Sequence, residues 1–489
     1  MKLMRVHLFL ALAALFAAAG CMKMGPDFHR PDLGQDLGIE VPAAFEQDRM
    51  ETEAPFWLED QWWRVFGDLE LNRLVDEVLS NSWDIRGASA KVLEVRSQLV
   101  QKRADRFPNL SLDATAEKRQ RPIIGIVPGQ SFTTKTDTYN LSLPAAFELD
   151  LWGRLARAEE AARAELLQAE ENRLTVAQGV VAETITLYLQ MESLERRIQI
   201  ALESIENFRQ SLALVERRYK RGLTSVLDVR QARRTLAGAE SALPPLREEL
   251  GATQQQLSVL LGSYPETQPP RAQPEDYFTH LAPVPPGLPS GLLLRRPDIR
   301  AAEAGLMALN AQVGVAKASR FPTITLTGSY GYSTDELDRL IRRQSEQWHL
   351  GLGIGQSLFD AGKLKAGQQA AEARHAQALA EYAKSVLTAF SEVERALLKR
   401  KEQLERRDRQ LKFLLEARAT QDVAEKRYRR GLVDYLTVLE AQRTRFEAEE
   451  SLVLVDLAIL TNRVTLHRAL GGGWGKWAGE DDQQHSPQG

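Results

Sequence analysis

The chain has 489 residues, with 63 Lys+Arg against 66 Asp+Glu and a formal net charge of −3. That balance excludes a strongly basic nucleic-acid binder, and a mean hydropathy of −0.33 excludes a bundle of membrane-spanning helices. A single cysteine leaves no disulfide framework and no cysteine-based zinc site. The seven histidines are dispersed without an HExxH or a close pair, so neither a metal nor a cofactor is expected.

Residues 1–20 read as an export signal. Lys2 and Arg5 supply the positive start, and Leu8 to Ala19 is an apolar run too short to cross a bilayer as a helix. Ala17, Ala18, Ala19 and Gly20 lead into Cys21, the one cysteine of the chain. The arrangement resembles a bacterial lipoprotein box, with Ala18 where such boxes usually carry Leu. That resemblance implies that Cys21 is the acylated first residue of the mature protein, and its acyl chains would then tether the chain to a membrane, at roughly 0.8 kcal/mol per buried CH₂. An ordinary cleaved signal is the alternative. Residues 21–60 then form a lipidated, extended segment.

Prolines punctuate the rest of the chain. None occurs from Ala145 to Leu243 or from Thr323 to Ser486, whereas eleven of the 21 fall between Pro244 and Pro297. Because Pro inside a helix costs about 3 kcal/mol, the two Pro-free stretches are where long helices are expected. Three segments recur in the same order. Arg106-Phe107-Pro108 matches Arg320-Phe321-Pro322, and Leu149 to Arg154 matches Leu358 to Lys363. Arg218-Tyr219-Lys220-Arg221-Gly222-Leu223 matches Arg427-Tyr428-Arg429-Arg430-Gly431-Leu432. The offsets are 214, 209 and 209 residues, so the chain is a duplication. The first repeat is placed at 61–262, a proline-rich linker at 263–297, the second repeat at 298–470 and a polar tail at 471–489.

Each repeat is expected to run helix, strand, strand, long helix, break, helix. Strands are predicted near 109–118, 139–150, 323–333 and 348–358. Tyr139, Leu141, Leu143, Ala145, Phe147 and Leu149 alternate with Asn140, Ser142, Pro144, Ala146, Glu148 and Asp150, the period-2 pattern of a two-faced sheet. About ten residues is the length of a tilted membrane-crossing strand, although a soluble hairpin packed on a helix shows the same alternation. The helix lengths weigh toward the membrane strand. From Gly153 to Arg218 and from Gly362 to Arg427 the chain would span roughly 100 Å at 1.5 Å per residue, too long for a compact globule. Four strands cannot close a barrel, and a sheet edge in lipid leaves backbone groups unpaired at several kcal/mol each. If the strands cross a membrane, several chains must pool them, and the polar face then lines water.

An ordered set of motifs accompanies this layout. Gly25-Pro26-Asp27-Phe28 with Arg30-Pro31 follows Cys21, and Trp62-Trp63 with Phe66-Gly67-Asp68 and Leu71 opens the first helix. Leu149 to Arg154 joins strand to helix. Arg295-Arg296-Pro297-Asp298-Ile299-Arg300-Ala301-Ala302-Glu303 is the most specific, and Arg427-Tyr428 with Gly431 through Arg443 completes the set. In these residues, from Cys21 to about Gly472, the chain resembles the outer-membrane factors, the TolC-like channels of Gram-negative bacteria. Within them it is most similar to the NodT-like lipoprotein branch of resistance-nodulation-division (RND) efflux systems.

The resemblance implies a mainly α protein with a membrane β-barrel. Three protomers each give four strands to a twelve-stranded barrel in the outer membrane, standing on a long periplasmic α-helical barrel. It implies a homotrimer that works with a periplasmic adaptor (membrane fusion) protein and an inner-membrane RND-type pump, held to outer-membrane lipid through acylated Cys21. No nucleic acid and no catalytic cycle enter. A channel of the same fold serving type I protein secretion, and a non-pore periplasmic scaffold lipoprotein, are the alternatives.

Both helix breaks read Arg-Tyr-x-Arg-Gly-Leu. Glycine adopts the left-handed conformation at a helix C-terminus cheaply, so Gly222 and Gly431 are expected to end one helix and turn into the next. The resemblance further maps a periplasmic gate onto Leu436, an apolar constriction, and Glu440, a carboxylate ring one turn later. It maps a latch onto Tyr428, whose hydroxyl would donate to Asp228, with Arg443 beside Glu440. By spacing alone these side chains read more readily as ordinary helix decoration, with Leu436 in a core, Glu440 solvated and Tyr428 a packing aromatic. Gly351-x-Gly353-x-Gly355 lies inside a strand pattern and is expected to serve close packing, not a nucleotide.

Overall fold

The computed structural model describes residues 23–42, 45, 61–124, 131–269 and 295–472. The signal segment, Cys21, most of the linker and residues 473–489 lie outside the described residues. A 3₁₀ turn at Trp62–Phe66 precedes α1 (Leu69–Asn81), α2 (Trp83–Ala104), β1 (Asn109–Leu110), β2 (Asp113–Ile124) and β3 (Ser131–Leu149). Then come α3 (Arg154–Lys220) and α4 (Val226–Leu260). The second half holds α5 (Pro297–Ala318), β4 (Thr323–Thr334), β5 (Glu346–Gly355), α6 (Lys363–Arg429) and α7 (Tyr435–Ala469). Among the described residues no helix is long and apolar enough to cross a membrane.

The duplication is strict in the helices. α3 and α6 both have 67 residues, α4 and α7 both have 35, and the members of each pair start 209 residues apart. Three expectations need correction. The first hairpin is longer than its apolar alternation, because Lys118 to Ile124 also pairs with Ser131 to Asp137, with Lys118 opposite Asp137 and 3.1 Å between their charged atoms. The tryptophan pair forms the 3₁₀ turn and not the first helix. Two helices follow it, separated at Ser82, whose ψ of 129° is extended. The third correction concerns Pro244 and Pro245, which lie inside α4. Both are exposed while Leu243, Leu246 and Leu250 are buried, so carbonyls freed by the missing N–H groups face water while the apolar side holds the helix.

The chain forms two compact units. The first draws its described residues from Met1–Pro31, Lys91–Ala169 and Ala301–Tyr382 and contains the sheet. Its order is β2–β3–β4–β5, all antiparallel, with β1 continuing β2 along β3. The register carries the alternation across three strands. Leu143, Tyr330 and Trp348 form one row, and Phe147, Leu326 and Leu352 form another on the same face. The opposite face has Pro144, Ser329 and His349 in one row and Glu148, Thr325 and Gly353 in another. On the apolar face Trp348, Leu350, Leu352 and Ile354 are all exposed.

The second unit draws on Asp32–Ala90, Glu170–Arg300 and Ala383–Gly489. Its largest core packs Trp62, Trp63, Leu71 and Val75 against Val181, Ile185 and Tyr188 of α3 and Leu460 and Val464 of α7. The double-arginine motif is an ion-pair hub here. Buried Arg296 donates to Asp298 at 2.6 and 3.0 Å, to Glu392 at 2.7 Å and to the Ala469 carbonyl at 3.1 Å. Arg300 meets Glu171 at 2.7 Å. Burial pushes the Glu171 carboxyl above its ordinary value, with the Arg300 charge opposing it.

Candidate functional site

The two helix turns are built by the same backbone bonds. Gly222 N–H donates to the Tyr219 carbonyl and Leu223 N–H to the Arg218 carbonyl; Gly431 and Leu432 repeat this onto Tyr428 and Arg427. That pattern is the Schellman closure, and it requires the left-handed residue that Gly222 (φ 70°) and Gly431 (φ 73°) provide. The following helices start on side-chain caps. Ser225 and Asp228 form a reciprocal capping box on α4, and Asp434 accepts from Thr437 N at 2.9 Å on α7. Each chain thus reverses direction at a fixed point.

The second turn is the better packed. Tyr428 and Tyr435 are buried with ring centroids 5.7 Å apart, among Val229, Ala232, Val438 and Leu439. Burial pushes the Tyr435 hydroxyl up to about 12. Arg218, from the first turn, lies 4.8 Å over the Tyr428 ring and donates to the Tyr428 carbonyl at 3.3 Å. A cation from one repeat therefore caps the helix end of the other. Sequence reading missed Arg218 because nothing local marks which of several arginines crosses over.

Asp228 and Tyr428 approach the same corner without forming the expected bond. The Asp228 carboxylate is taken up by Thr224 Oγ1 and the Ser225 N–H. Burial would raise its pKa, but those hydrogen bonds hold it below the ordinary carboxylate value. The Tyr428 hydroxyl is buried with no hydrogen-bond partner among the described residues, so the Tyr428-to-Asp228 latch bond is absent in this arrangement. These donors win Asp228 because they sit three and four residues away in sequence, at the start of its own helix, whereas Tyr428 is 200 residues away.

Leu436, Glu440, Arg443 and Glu447 form one exposed stripe of α7, at helical spacing. Arg443 reaches Glu440 at 3.5 Å and Glu447 at 3.3 Å. The opposite face holds Val438, Leu439, Gln442 and Phe446, all buried. Gln442 is the polar exception, with its Nε2 2.8 Å from Asn207 Oδ1, 3.0 Å from Ser211 Oγ and 3.0 Å from Glu425 Oε1. It ties α7 to both α3 and α6 and borders a cavity of about 400 Å³ that Arg217 also lines. An amide at an otherwise apolar helix position was the signal for it in the sequence. No cluster of metal-ligating side chains occurs among the described residues.

The model of the outer membrane efflux protein family matches residues 74–263 and 288–472. The chain is 32% identical over 467 residues to the cation efflux system protein CusC of Escherichia coli O6:H1, covering 95% of this chain and 98% of CusC. It is 33% identical over 470 residues to the solvent efflux pump outer membrane protein SrpC of Pseudomonas putida, covering 95% and 98%. The solved outer-membrane channel OprN superposes with a TM-score of 0.84 at 32% identity, covering 92% of this chain and 99% of that one.

Proposed function

The chain belongs to the outer membrane efflux protein family, and from that premise we propose how its residues make an outer-membrane efflux channel work. Three copies pool their four strands into one closed barrel, and the polar sheet face lines the water path. The observation that carries this is the sheet itself. Its apolar rows run from β3 to β5 with side chains exposed or half-exposed, while among the described residues β2 and β5 are each paired on one side only. In lipid such edges need partners, and a neighbouring copy is the one partner that every chain has.

Around that conduit, Cys21 is acylated and anchors the chain in outer-membrane lipid. A periplasmic adaptor and an inner-membrane RND-type pump deliver cargo to the helical end. Leu436 and Glu440 form the gate, with Arg443 moderating the carboxylate ring, and Gly222 and Gly431 fix the turns beside it. Tyr428 and Asp228 are the two sides of a contact between repeats that is unmade here and becomes a hydrogen bond when the capping box releases Asp228. CusC and SrpC carry cation and solvent efflux in their names at nearly equal identity to this chain. Cargo choice therefore belongs to the pump, and the channel is a common exit.

Planar-bilayer recording tests the gate. Leu436→Ala combined with Glu440→Ala is expected to raise single-channel conductance several-fold and weaken the preference for cations. Conductance equal to that of the unmodified channel would remove these residues from the gate.

A further inference from the structure

The Gly25-Pro26-Asp27-Phe28 motif has a place in the structure that the conduit does not explain. Lys23 to Arg30 has no regular secondary structure and is mostly exposed, yet it is bonded along its length to the first unit. Arg157, on the first turn of α3, is 1% exposed. Its guanidinium has five N–H donors, and five acceptors surround it. Nε donates to the Met24 carbonyl at 3.1 Å, Nη2 to the Gly25 carbonyl at 3.2 Å and to Asp27 Oδ1 at 2.8 Å. Nη1 donates to both oxygens of Glu160, at 3.0 and 2.9 Å. Three of the five bonds thus hold the N-terminal strap.

Other contacts extend the grip. Asn310 Nδ2, on α5, donates to the Pro26 carbonyl at 3.0 Å. Arg30 forks onto Glu303, the last residue of the double-arginine motif, with Nε to Oε1 at 2.7 Å. Met24 N–H donates to the Trp152 carbonyl at 3.0 Å, at the junction of β3 and α3. Gly25 has φ 90°, and a Cβ there would lie 2.6 Å from the Cα of Gly314. The fit is therefore backbone on backbone. The hydrogen bond from Arg157, followed by its charge, also holds the Asp27 carboxyl below its ordinary value.

The second repeat shows that this device is not part of the duplicated plan. At the offset of 209 residues, Arg157 corresponds to Ala366 and Glu160 to Gln369. The receptor exists once per chain, as does the strap.

We infer that Arg157, with Asn310, is the docking receptor for the Lys23–Arg30 strap and so leaves only two residues of free tether between the docked strap and the acylated Cys21. The inference rests on the reading that Cys21 is acylated. No side chain of Lys23–Arg30 is fully buried, so the strap is held by its hydrogen bonds, chiefly those to a buried cation, and loss of that cation frees the strap as a unit. The lipid anchor is thereby joined to the body of the chain by a short tether instead of a loose leader.

Timed trypsin digestion of the purified full-length trimer tests this, because Lys23–Met24 is cleavable whereas Arg30 is followed by Pro31. The cut is read by the mass of the shortened chain and, separately, by release of a metabolically incorporated fatty-acid label. Arg157→Met is expected to speed the cut at Lys23 at least tenfold. Asp27→Ala with Arg30→Ala, which alters only exposed strap residues and so spares folding, is expected to speed it severalfold with the trimer's melting transition unchanged. Equal cutting rates in the unmodified protein and the strap variant would overturn the receptor. A label absent from the unmodified protein would overturn acylation alone, since the mass readout still decides the docking.

Discussion

The two Arg-Tyr-x-Arg-Gly-Leu turns have the same backbone and different surroundings. Both close on the same pair of hydrogen bonds around a left-handed glycine. Tyr428, however, is 5% exposed within a core while its counterpart Tyr219 is 46% exposed. The duplication has kept what the backbone needs to reverse direction and has let the side chains specialise. The second turn gained a core and a buried amide on the helix that carries the proposed gate; the first supplies the capping arginine, Arg218.

That contrast can be broken or sharpened by matched substitutions. The largest effect is expected from the tyrosines. Tyr428→Ala removes a buried ring and should cost about 3 kcal/mol, whereas Tyr219→Ala should cost about 0.5 kcal/mol. Thermal denaturation of the two variants measures the difference, and equal losses would erase the distinction between the turns.

A second contrast lies at the far ends of the paired helices. His467 of α7 corresponds by offset to Ser258 of α4. The imidazole is buried, stacked on Trp62 with centroids 4.7 Å apart, and neither ring nitrogen has a hydrogen-bond partner among the described residues. Burial, with the Arg463 charge adding to it, depresses its pKa to about 3 from 6.5. Between those values the unfolded chain binds a proton that the folded chain refuses. Stability is therefore complete above the unfolded value and falls as the medium is acidified toward 3, by about 2 kcal/mol at pH 5. His467→Phe should flatten the melting temperature over that window. A profile unchanged by the substitution would mean that the acid response comes from other groups.

The smallest effect is the most discriminating for the gate. Leu227 and Gln231 occupy in the first repeat the places of Leu436 and Glu440. Replacing both with Ala should leave conductance within experimental scatter, while the second-repeat pair raises it. A comparable rise from either pair would mean that the aperture draws on both turns.

Much of this was legible in the sequence because it is dictated locally. The Pro-free, Ala/Leu/Glu/Arg-rich stretches became the 67-residue helices, and the alternation of Leu141 to Leu149 became the apolar sheet rows. Gly222 and Gly431 announced their turns. What escaped was set by distant partners or by tolerance. The pairing of Lys118 with Asp137 lengthened a hairpin beyond its apolar run. An exposed face let α4 continue through Pro244 and Pro245. Arg157 and Arg218 look like ordinary helix residues, and Gln442 is marked only as an amide at an apolar position, until folding brings each an acceptor from more than one hundred residues away.

The pooled sheet is tested most directly by cysteine cross-linking between its two edges. A cysteine replacing Leu352 on β5, paired in turn with cysteines at successive positions from Ala114 to Lys118 on β2, is oxidised in outer-membrane vesicles in a Cys21→Ser background. A covalent ladder that ends at three chains for at least one register is the predicted result. Oxidation that yields only single chains at every register, with the protein still membrane-inserted, would contradict it.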